Sequence, residues 1–350
     1  MLFHNWVKKL RQFSIDLAWM HWNRLGVRGS GPLLRCSTDP ETLLLWTALV
    51  GQEDARLWEA AAAWIENYES LIPIDRFKNL IKDNNDPAHM LPKLATLLRT
   101  ALDPTRQTRW EFVINRAPLP LSEEAVSKAL TKNRLQDHSW IIRKNYLIYL
   151  RYLFGPSIRA DALYYILVVS NQPEGGNEIV LTTPELRRAI SYDPSAISRT
   201  LESLARAGVI KELKFPDEDQ RSKFYSLSGE DPLFGQYARH AGRRKQPLQS
   251  LPDYHYVCWP PLLEIAKDID RLDAFSSATV DRSLEDSEPL IKSRLNTFLF
   301  SFQHQLRRSN IPLDVRVPGR LPLKDIPLED MMMLVDENLA GVKEFLMEPQ

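Results

Sequence analysis

Residues 194–207 carry the side chains of this sequence that are best suited to specific polar contacts. The polar positions recur at i, i+3, i+4, i+7 and i+11 along one stripe of a predicted helix, and they are Ser195, Ser198, Arg199, Glu202 and Arg206. The opposite stripe is apolar and consists of Ile197, Leu201, Leu204 and Ala205. Hydroxyl and guanidinium groups on an exposed helix face form hydrogen bonds readily, so this stripe predicts contact with a polar partner.

The sequence offers little for catalysis or metal binding. No glycine-rich loop has the spacing that cradles a phosphate, and the histidines and cysteines have no metal-binding spacing. Cys258 lies three residues from His255, but on an extended chain that separation directs the two side chains to opposite faces. We therefore expect no enzyme activity, no cofactor and no metal site.

The composition is that of a globular protein. The chain has 350 residues, of which 44% are hydrophobic and 26% charged, and its formal net charge is zero. This length accommodates two or three domains, and the two cysteines suit a reducing compartment. The apolar runs near residues 43–50 and 162–169 are too short to cross a bilayer. Charged residues interrupt the N-terminal segment, so we expect a cytoplasmic protein without a membrane partner.

Helical periodicity dominates both ends of the chain. Residues 1–155 are predicted to form a helical N-terminal domain that opens with an amphipathic helix in residues 1–25. This first helix could pack on its own chain, on a second subunit or on a membrane surface. Residues 231–350 are predicted to form a basic, proline-rich connector followed by a helical C-terminal domain. The aromatic residues of its 247–261 segment could fill a domain interface or stack on single-stranded nucleic acid.

The central residues 156–230 have a different pattern, which begins after the Gly155-Pro156 break. A predicted helix and a short strand precede Thr182 or Thr183, either of which could cap a second helix. Asp193 caps and Pro194 opens a third helix that ends at Gly208. The alternating runs VIKELKF and KFYSLS, joined by PDEDQRS, then predict a β-hairpin. This order is that of a winged helix-turn-helix, so the predicted fold class is mainly α with a central winged helix-turn-helix and a β-hairpin wing.

The segments SAISRTLESLARAGVIKE and PDEDQRSKFYSLS resemble the DNA-binding core of the MarR-type regulators over about residues 178–229. The resemblance implies that Arg221 enters the minor groove of DNA and that Asp219 holds it there. The alternative is that Arg221 is a solvated residue at a hairpin tip. On the rest of this surface we expect contacts to base edges or phosphates from Ser195, Ser198 and Arg199, and contacts to phosphates from Arg187, Arg188, Arg206 and Lys223.

The charge of this region is modest for a nucleic-acid-binding surface. From Pro184 to Lys223 the sequence has eight Lys/Arg and seven Asp/Glu, which leaves a net charge of +1. The downstream segment YARHAGRRKQP adds a basic run that includes Arg243 and Arg244. This run could bind phosphates beside the wing, or it could be a solvated linker.

The leading hypothesis is a sequence-specific protein that binds double-stranded DNA, namely a bacterial transcriptional regulator that acts as a homodimer on inverted repeats. A second, broader similarity concerns residues 39–72 and 150–170, which look like bacterial winged-helix proteins encoded beside nucleotidyltransferase-type toxins. That similarity implies an antitoxin-like or adaptor protein that grips a protein partner. A third possibility is a ligand-gated sensor whose pocket lies in the N-terminal helical domain.

Overall fold

The computed structural model describes residues 2–29, 31–83, 87–115, 135–170, 181–213, 223–228, 256–279, 284–313, 315, 317 and 322–347. The chain is mainly helical and has one small three-stranded antiparallel sheet among these residues. Prolines, acidic residues and threonines begin several of the helices, as local capping chemistry predicts. Asp39, for example, accepts hydrogen bonds from the backbone N–H groups of Glu41 and Thr42, and Pro40 occupies the first helical position.

A first group of helices, here called the helical body, combines both ends of the chain. Its N-terminal members are α1 (Leu2–Arg24), α2 (Pro40–Val50), α3 (Ala55–Tyr68), α4 (Ile74–Asp83), α5 (Pro87–Ala101), α6 (Pro104–Gln107) and α7 (Glu111–Ile114). Two short helices, α8 (His138–Lys144) and α9 (Tyr146–Phe154), lead out of it. Its C-terminal members are α13 (Trp259–Thr279), α14 (Leu284–Arg308) and α15 (Leu328–Leu346).

The helical body has one continuous core that the N-terminal and C-terminal helices share. Helix α1 packs on α13 and α2, α13 packs on α14, and α14 packs on α15. Trp22 and Trp64 are fully buried, and their indole N–H groups donate to Thr47 Oγ1 and to the carbonyl of Leu25. The first helix therefore packs on its own chain, because its apolar face is covered by α13 and α2.

A second set of elements, here called the central unit, lies in the sequence between the N-terminal and the C-terminal members of the helical body. It consists of α10 (Ile158–Ser170), β1 (Leu181–Thr182), α11 (Thr183–Ile190), α12 (Pro194–Arg206), β2 (Ile210–Leu213) and β3 (Phe224–Leu227). The strand order is β1-β3-β2, and both pairs are antiparallel, with Leu181 opposite Tyr225 and Ile210 opposite Leu227. These elements have their own core, to which α9 also contributes.

The predicted caps of the central unit are present. Thr182 accepts from the backbone N–H of Glu185, and the Glu185 carboxylate accepts from the backbone N–H of Thr182, which makes a capping box. Asp193 caps α12 and Pro194 opens it. Ser191, at φ 56°, terminates α11 in the left-handed region, and Gly208, at φ 75°, follows the end of α12.

Two details differ from the sequence-based expectations. The apolar pattern predicts one helix over Trp140–Phe154, but this segment belongs to two helices, because Asn145 adopts an extended conformation and caps α9 with its side chain. The sequence pattern of residues 110–120 is ambiguous and allows a loop with a short strand, whereas residues 111–114 are helical. In α15, Met331 and Met332 are buried in the core, while Met333 is 54% exposed.

Candidate nucleic-acid interface

The polar stripe of α12 lies open to solvent in the described part of the chain. Ser195, Arg199 and Arg206 are exposed and Ser198 is half-buried, whereas Ile197 and Leu201 are completely buried against the central unit. The apolar stripe fixes the rotation of the helix, since burying it turns the other stripe outward. This amphipathic division places four of the predicted contact residues on one accessible face.

In the first turn of α12, some of the hydrogen-bond donors are already bonded to the cap residue Asp193. Asp193 Oδ1 accepts from the backbone N–H of Ser195 at 2.9 Å and from its hydroxyl at 2.6 Å. These hydrogen bonds from Ser195 lower the pKa of Asp193 below its ordinary value. The Ser195 hydroxyl is thus occupied as a donor, and it can offer a partner only its acceptor lone pairs.

An ion pair joins the start of β3 to α12. Lys223 Nζ lies 2.8 Å from Glu202 Oε1, and this hydrogen bond raises the pKa of Lys223. Both side chains are a little under half exposed. Lys223, which we expected to meet a phosphate, therefore has a carboxylate partner on the same face. Its pairing also shows that β3 begins beside the polar stripe of α12.

The remaining predicted residues fall into two groups. Arg221, its partner Asp219, and the basic residues Arg243 and Arg244 lie outside the described residues, so their roles stay predictions. Arg187 and Arg188 are exposed on α11, where they line a cleft of about 620 Å³ that also receives Arg308 from α14. These two arginines thus face a cleft shared with the helical body.

Behind this surface, a buried ion cluster joins the helical body to the central unit. Arg76 Nη2 lies 2.6 Å from Asp39 Oδ2, and Arg76 Nη1 also contacts the Glu41 carboxylate. Arg151 Nη1 lies 2.7 Å from Glu41 Oε1, and Arg151 Nε lies 2.8 Å from Asp161 Oδ1. All five side chains are at most 5% exposed. Burial without such pairing would be very costly, so the cluster holds α2, α4, α9 and α10 in one arrangement.

The cluster contains three carboxyl groups and two guanidinium groups. Burial raises the pKa of Glu41 to about 8, against the opposing charge of Arg151 and with the support of the neighbouring Asp39 charge. Burial would also raise the pKa of Asp39, but Arg76 and a hydrogen bond from Glu41 hold it below its ordinary value. A protonated Glu41 removes one of the negative charges of the cluster, and a dry interior favours that arrangement.

The turn between α11 and α12 is held in place by hydrogen bonds to residues of α4 and α10. Arg76 Nε donates to the carbonyl of Ile190 at 2.8 Å, and Asn79 Nδ2 donates to the carbonyl of Ser191 at 3.1 Å. The Tyr192 hydroxyl donates to Asp161 Oδ2 at 3.0 Å. Helix α12 is thus positioned by hydrogen bonds to α4 and α10 as well as by its own apolar stripe.

A second clamp comes from residues 256–258. The Tyr256 hydroxyl donates to the carbonyl of Ala189 at 2.9 Å, and the Cys258 thiol lies 3.6 Å from the carbonyl of Arg188. Trp259 is buried, and its indole N–H donates to the carbonyl of Ser37. Burial raises the pKa of Cys258 to about 12, so this thiol is not an accessible thiolate nucleophile.

Sequence reasoning missed Arg76 and Arg151, which hold this junction together. The sequence allows Ser37, Thr38 or Asp39 to cap α2; Asp39 is the cap, and the same carboxylate also accepts from Arg76. A signal was present in Arg151, a charge in the otherwise apolar run YLIYLRYLF, because such a residue must find a partner if the helix is buried.

The described residues contain no metal site and no membrane-spanning helix. No group of His, Cys, Asp or Glu among them could hold a metal ion, and none of their helices combines the length and apolar character needed to cross a membrane. No family model matches the chain, and no curated protein or solved structure resembles it significantly.

Proposed function

We propose that the central unit is a winged helix-turn-helix and that the chain binds double-stranded DNA through it. The order helix, strand, helix, helix and two further strands, with the sheet order β1-β3-β2, supports this assignment. In this proposal α12 enters the major groove, and the segment between β2 and β3 is the wing. The biological role is that of a bacterial transcriptional regulator.

The observation that carries the proposal is the open polar stripe of α12. Arg199 and Arg206 are exposed and have no salt bridge among the described residues. Both guanidinium groups are therefore available to base edges or phosphates.

Binding as a homodimer follows from the length of the reading helix. A helix of this length contacts a few base pairs, so specificity requires two copies on half-sites about one helical turn apart. Selection of bound fragments from a random duplex pool, repeated at several salt concentrations, tests this. We expect an inverted repeat and an affinity that falls with salt. A pool that shows no enrichment would contradict the proposal.

We expect Arg199→Ala to weaken binding to the selected duplex by about tenfold or more, since one good base contact discriminates by about 1–3 kcal/mol. The matched control is Arg56→Ala, which removes the same charge from α3, where the side chain is 78% exposed. Fluorescence anisotropy of a labelled duplex measures both variants. Equal affinities for Arg199→Ala and the parent would show that this face does not contact DNA.

A second candidate is an antitoxin-like or adaptor protein that binds another protein. The near neutrality of residues 184–223 and the pairing of Lys223 with Glu202 favour it, because both reduce the attraction for a polyanion. Leu153 and Phe154, which are 55% and 36% exposed at the end of α9, would suit a protein contact. A stoichiometric partner that copurifies from the native host, with no retained DNA, would select this candidate.

A further inference from the structure

The cleft between α11 and α14 has a concentration of arginine side chains on opposite walls. Arg187 and Arg188 line it from α11, and Arg308 lines it from the last turn of α14. All three are exposed, and none forms a salt bridge within the described ranges. Three guanidinium groups that line one cleft from two elements are well suited to an oxyanion, because each offers a planar set of donors.

The walls of this cleft are held in place by buried contacts. Arg308 Nη1 lies 3.5 Å from Oε1 of Gln305, a buried side chain that also lines the cleft. The backbone N–H of Cys258 donates to the carbonyl of Ser309 at 3.1 Å, while its thiol contacts the carbonyl of Arg188. One residue thus connects the two walls beside the arginines, and the site is largely preformed.

The size and the lining of the cleft indicate an organic ligand. Its volume of about 620 Å³ lies in the range of small-molecule sites, roughly 300–1,000 Å³, and is far larger than a bare phosphate needs. Pro184, which is exposed, and Pro260, which is half-buried, contribute accessible apolar surface to it. Two acidic residues, Asp83 and Glu264, also line it, but Lys267 lies 2.6 Å from Glu264 and balances that charge. The cleft therefore keeps an excess of positive charge.

We propose that this cleft binds a small organic phosphate. The phosphoryl group contacts Arg187, Arg188 and Arg308, and the apolar part of the ligand lies on Pro184 and Pro260. The apolar surface of these two prolines distinguishes the site from a duplex contact, because a DNA backbone would have nothing to bury there. A ligand of this kind would connect α11 of the central unit to α14 of the helical body.

A consequence for DNA binding rests on the proposed function. Arg187 and Arg188 are also the residues that we expect to meet phosphates of the duplex. A ligand in the cleft would occupy these guanidinium groups and neutralise them, so ligand and DNA would compete. The small organic phosphate is thus expected to release the protein from DNA.

The test uses 1-naphthyl phosphate as the probe, with 1-naphthol as the same ring without its anion. Isothermal titration calorimetry on the full chain should detect binding of the phosphate and not of the alcohol. Arg308→Gln should weaken binding by about tenfold or more. Arg307→Gln is the matched control, because Arg307 is exposed in the same turn but does not line the cleft, and it should bind like the parent. No binding to the parent at millimolar probe, or equal binding by the two variants, would overturn the site.

A competition assay separates the two proposals. The probe should release a labelled duplex from the parent and from Arg307→Gln but not from Arg308→Gln, which should itself bind DNA normally. Probe binding without any DNA binding would reject the proposed function and keep the site. DNA binding without probe binding would reject the site alone. If Arg308→Gln weakens DNA binding directly, the cleft contacts the duplex instead of a small molecule.

Discussion

Glu41 is the carboxyl group with the least ordinary surroundings in the described part of the chain. It is fully buried, it contacts both Arg76 and Arg151, and Asp39 lies beside it. Burial and the Asp39 charge together favour its protonated form, which donates a hydrogen bond to Asp39. The helical body and the central unit therefore meet at a group whose charge depends on pH.

The raised pKa of Glu41 makes stability depend on pH. The unfolded chain releases this proton near pH 4.5, whereas the folded chain keeps it until about pH 8. The contribution of the Glu41 proton to the free energy of unfolding is therefore complete below pH 4.5 and is lost as the pH rises to about 8. Glutamine cannot ionise, so we expect Glu41→Gln to remove this pH-dependent decrease in the free energy of unfolding. The variant should therefore gain stability relative to the parent between pH 5 and 8.

Urea unfolding of parent and variant at pH 5, 6, 7 and 8 measures this difference. The matched control is Glu66→Gln, an exposed carboxylate on α3 that should follow the parent at every pH. Parallel curves for the parent and Glu41→Gln would show that Glu41 is ionised in the folded protein.

Among the elements, helix α12 and the β2–β3 pair share one face through the Lys223–Glu202 ion pair. An exposed pair of this kind contributes little to stability. Its effect on charge is larger, because Glu202 places an acid on the face that we propose for DNA and occupies a lysine that could bind phosphate. The pairing thus restrains binding at this surface.

We expect Glu202→Gln to increase DNA affinity several-fold and to steepen its salt dependence by about one unit of slope, since it releases Lys223 for one more phosphate contact. Glu212→Gln is the control, because Glu212 is exposed on β2 and its loss changes the net charge equally. Anisotropy titrations from 50 to 200 mM salt give both slopes. An unchanged slope in Glu202→Gln would show that Lys223 does not reach the duplex.

The helices and strands of the central unit could be predicted from local chemistry, whereas the contacts that join this unit to the helical body could not. The Thr182–Glu185 capping box, the Asp193-Pro194 start and the turn at Gly208 each depend on neighbouring residues alone. The ion cluster depends on residues that are up to 122 positions apart, from Asp39 to Asp161. No spacing rule connects them.

The break at Asn145 was missed for a related reason. Its side chain both caps α9 and donates to the carbonyl of Thr38, a contact that only the folded chain contains. The surrounding apolar pattern runs through it without interruption, and so predicts one helix where there are two.

At the scale of the whole molecule, the central unit is attached through the turn that precedes its exposed helix. Three consecutive carbonyl groups, those of Ala189, Ile190 and Ser191, accept side-chain hydrogen bonds from outside the unit. These bonds come from Tyr256, Arg76 and Asn79, which are residues of the helical body and of the segment that leads into α13. The orientation of α12 is therefore set by the body.

We expect Asn79→Ala to loosen this turn without unfolding the protein. One hydrogen bond of about 1 kcal/mol corresponds to about fivefold faster local opening. Hydrogen exchange of the backbone amides at 190–193 should rise by that factor, while the midpoint of urea unfolding changes little. Asn67→Ala, which removes a bond to the carbonyl of Ala63 within α3, is the control and should leave these amides unchanged. Unaltered exchange in Asn79→Ala would show that Asn79 does not restrain the turn.

The shared core of α1, α13, α14 and α15 has a consequence during synthesis of the chain. Leu34 pairs with Met347, and the backbone N–H of Arg35 donates to the carbonyl of Leu346. Residues 34 and 35 therefore cannot make these contacts until the end of α15 has been synthesised. The elements of the central unit are contiguous in sequence and can assemble while the ribosome is still translating α13. In a nascent chain halted before α15, the central unit would be folded, but the helical body would lack its last helix. The apolar faces that α15 normally covers would then be exposed, and chaperones bind such surfaces.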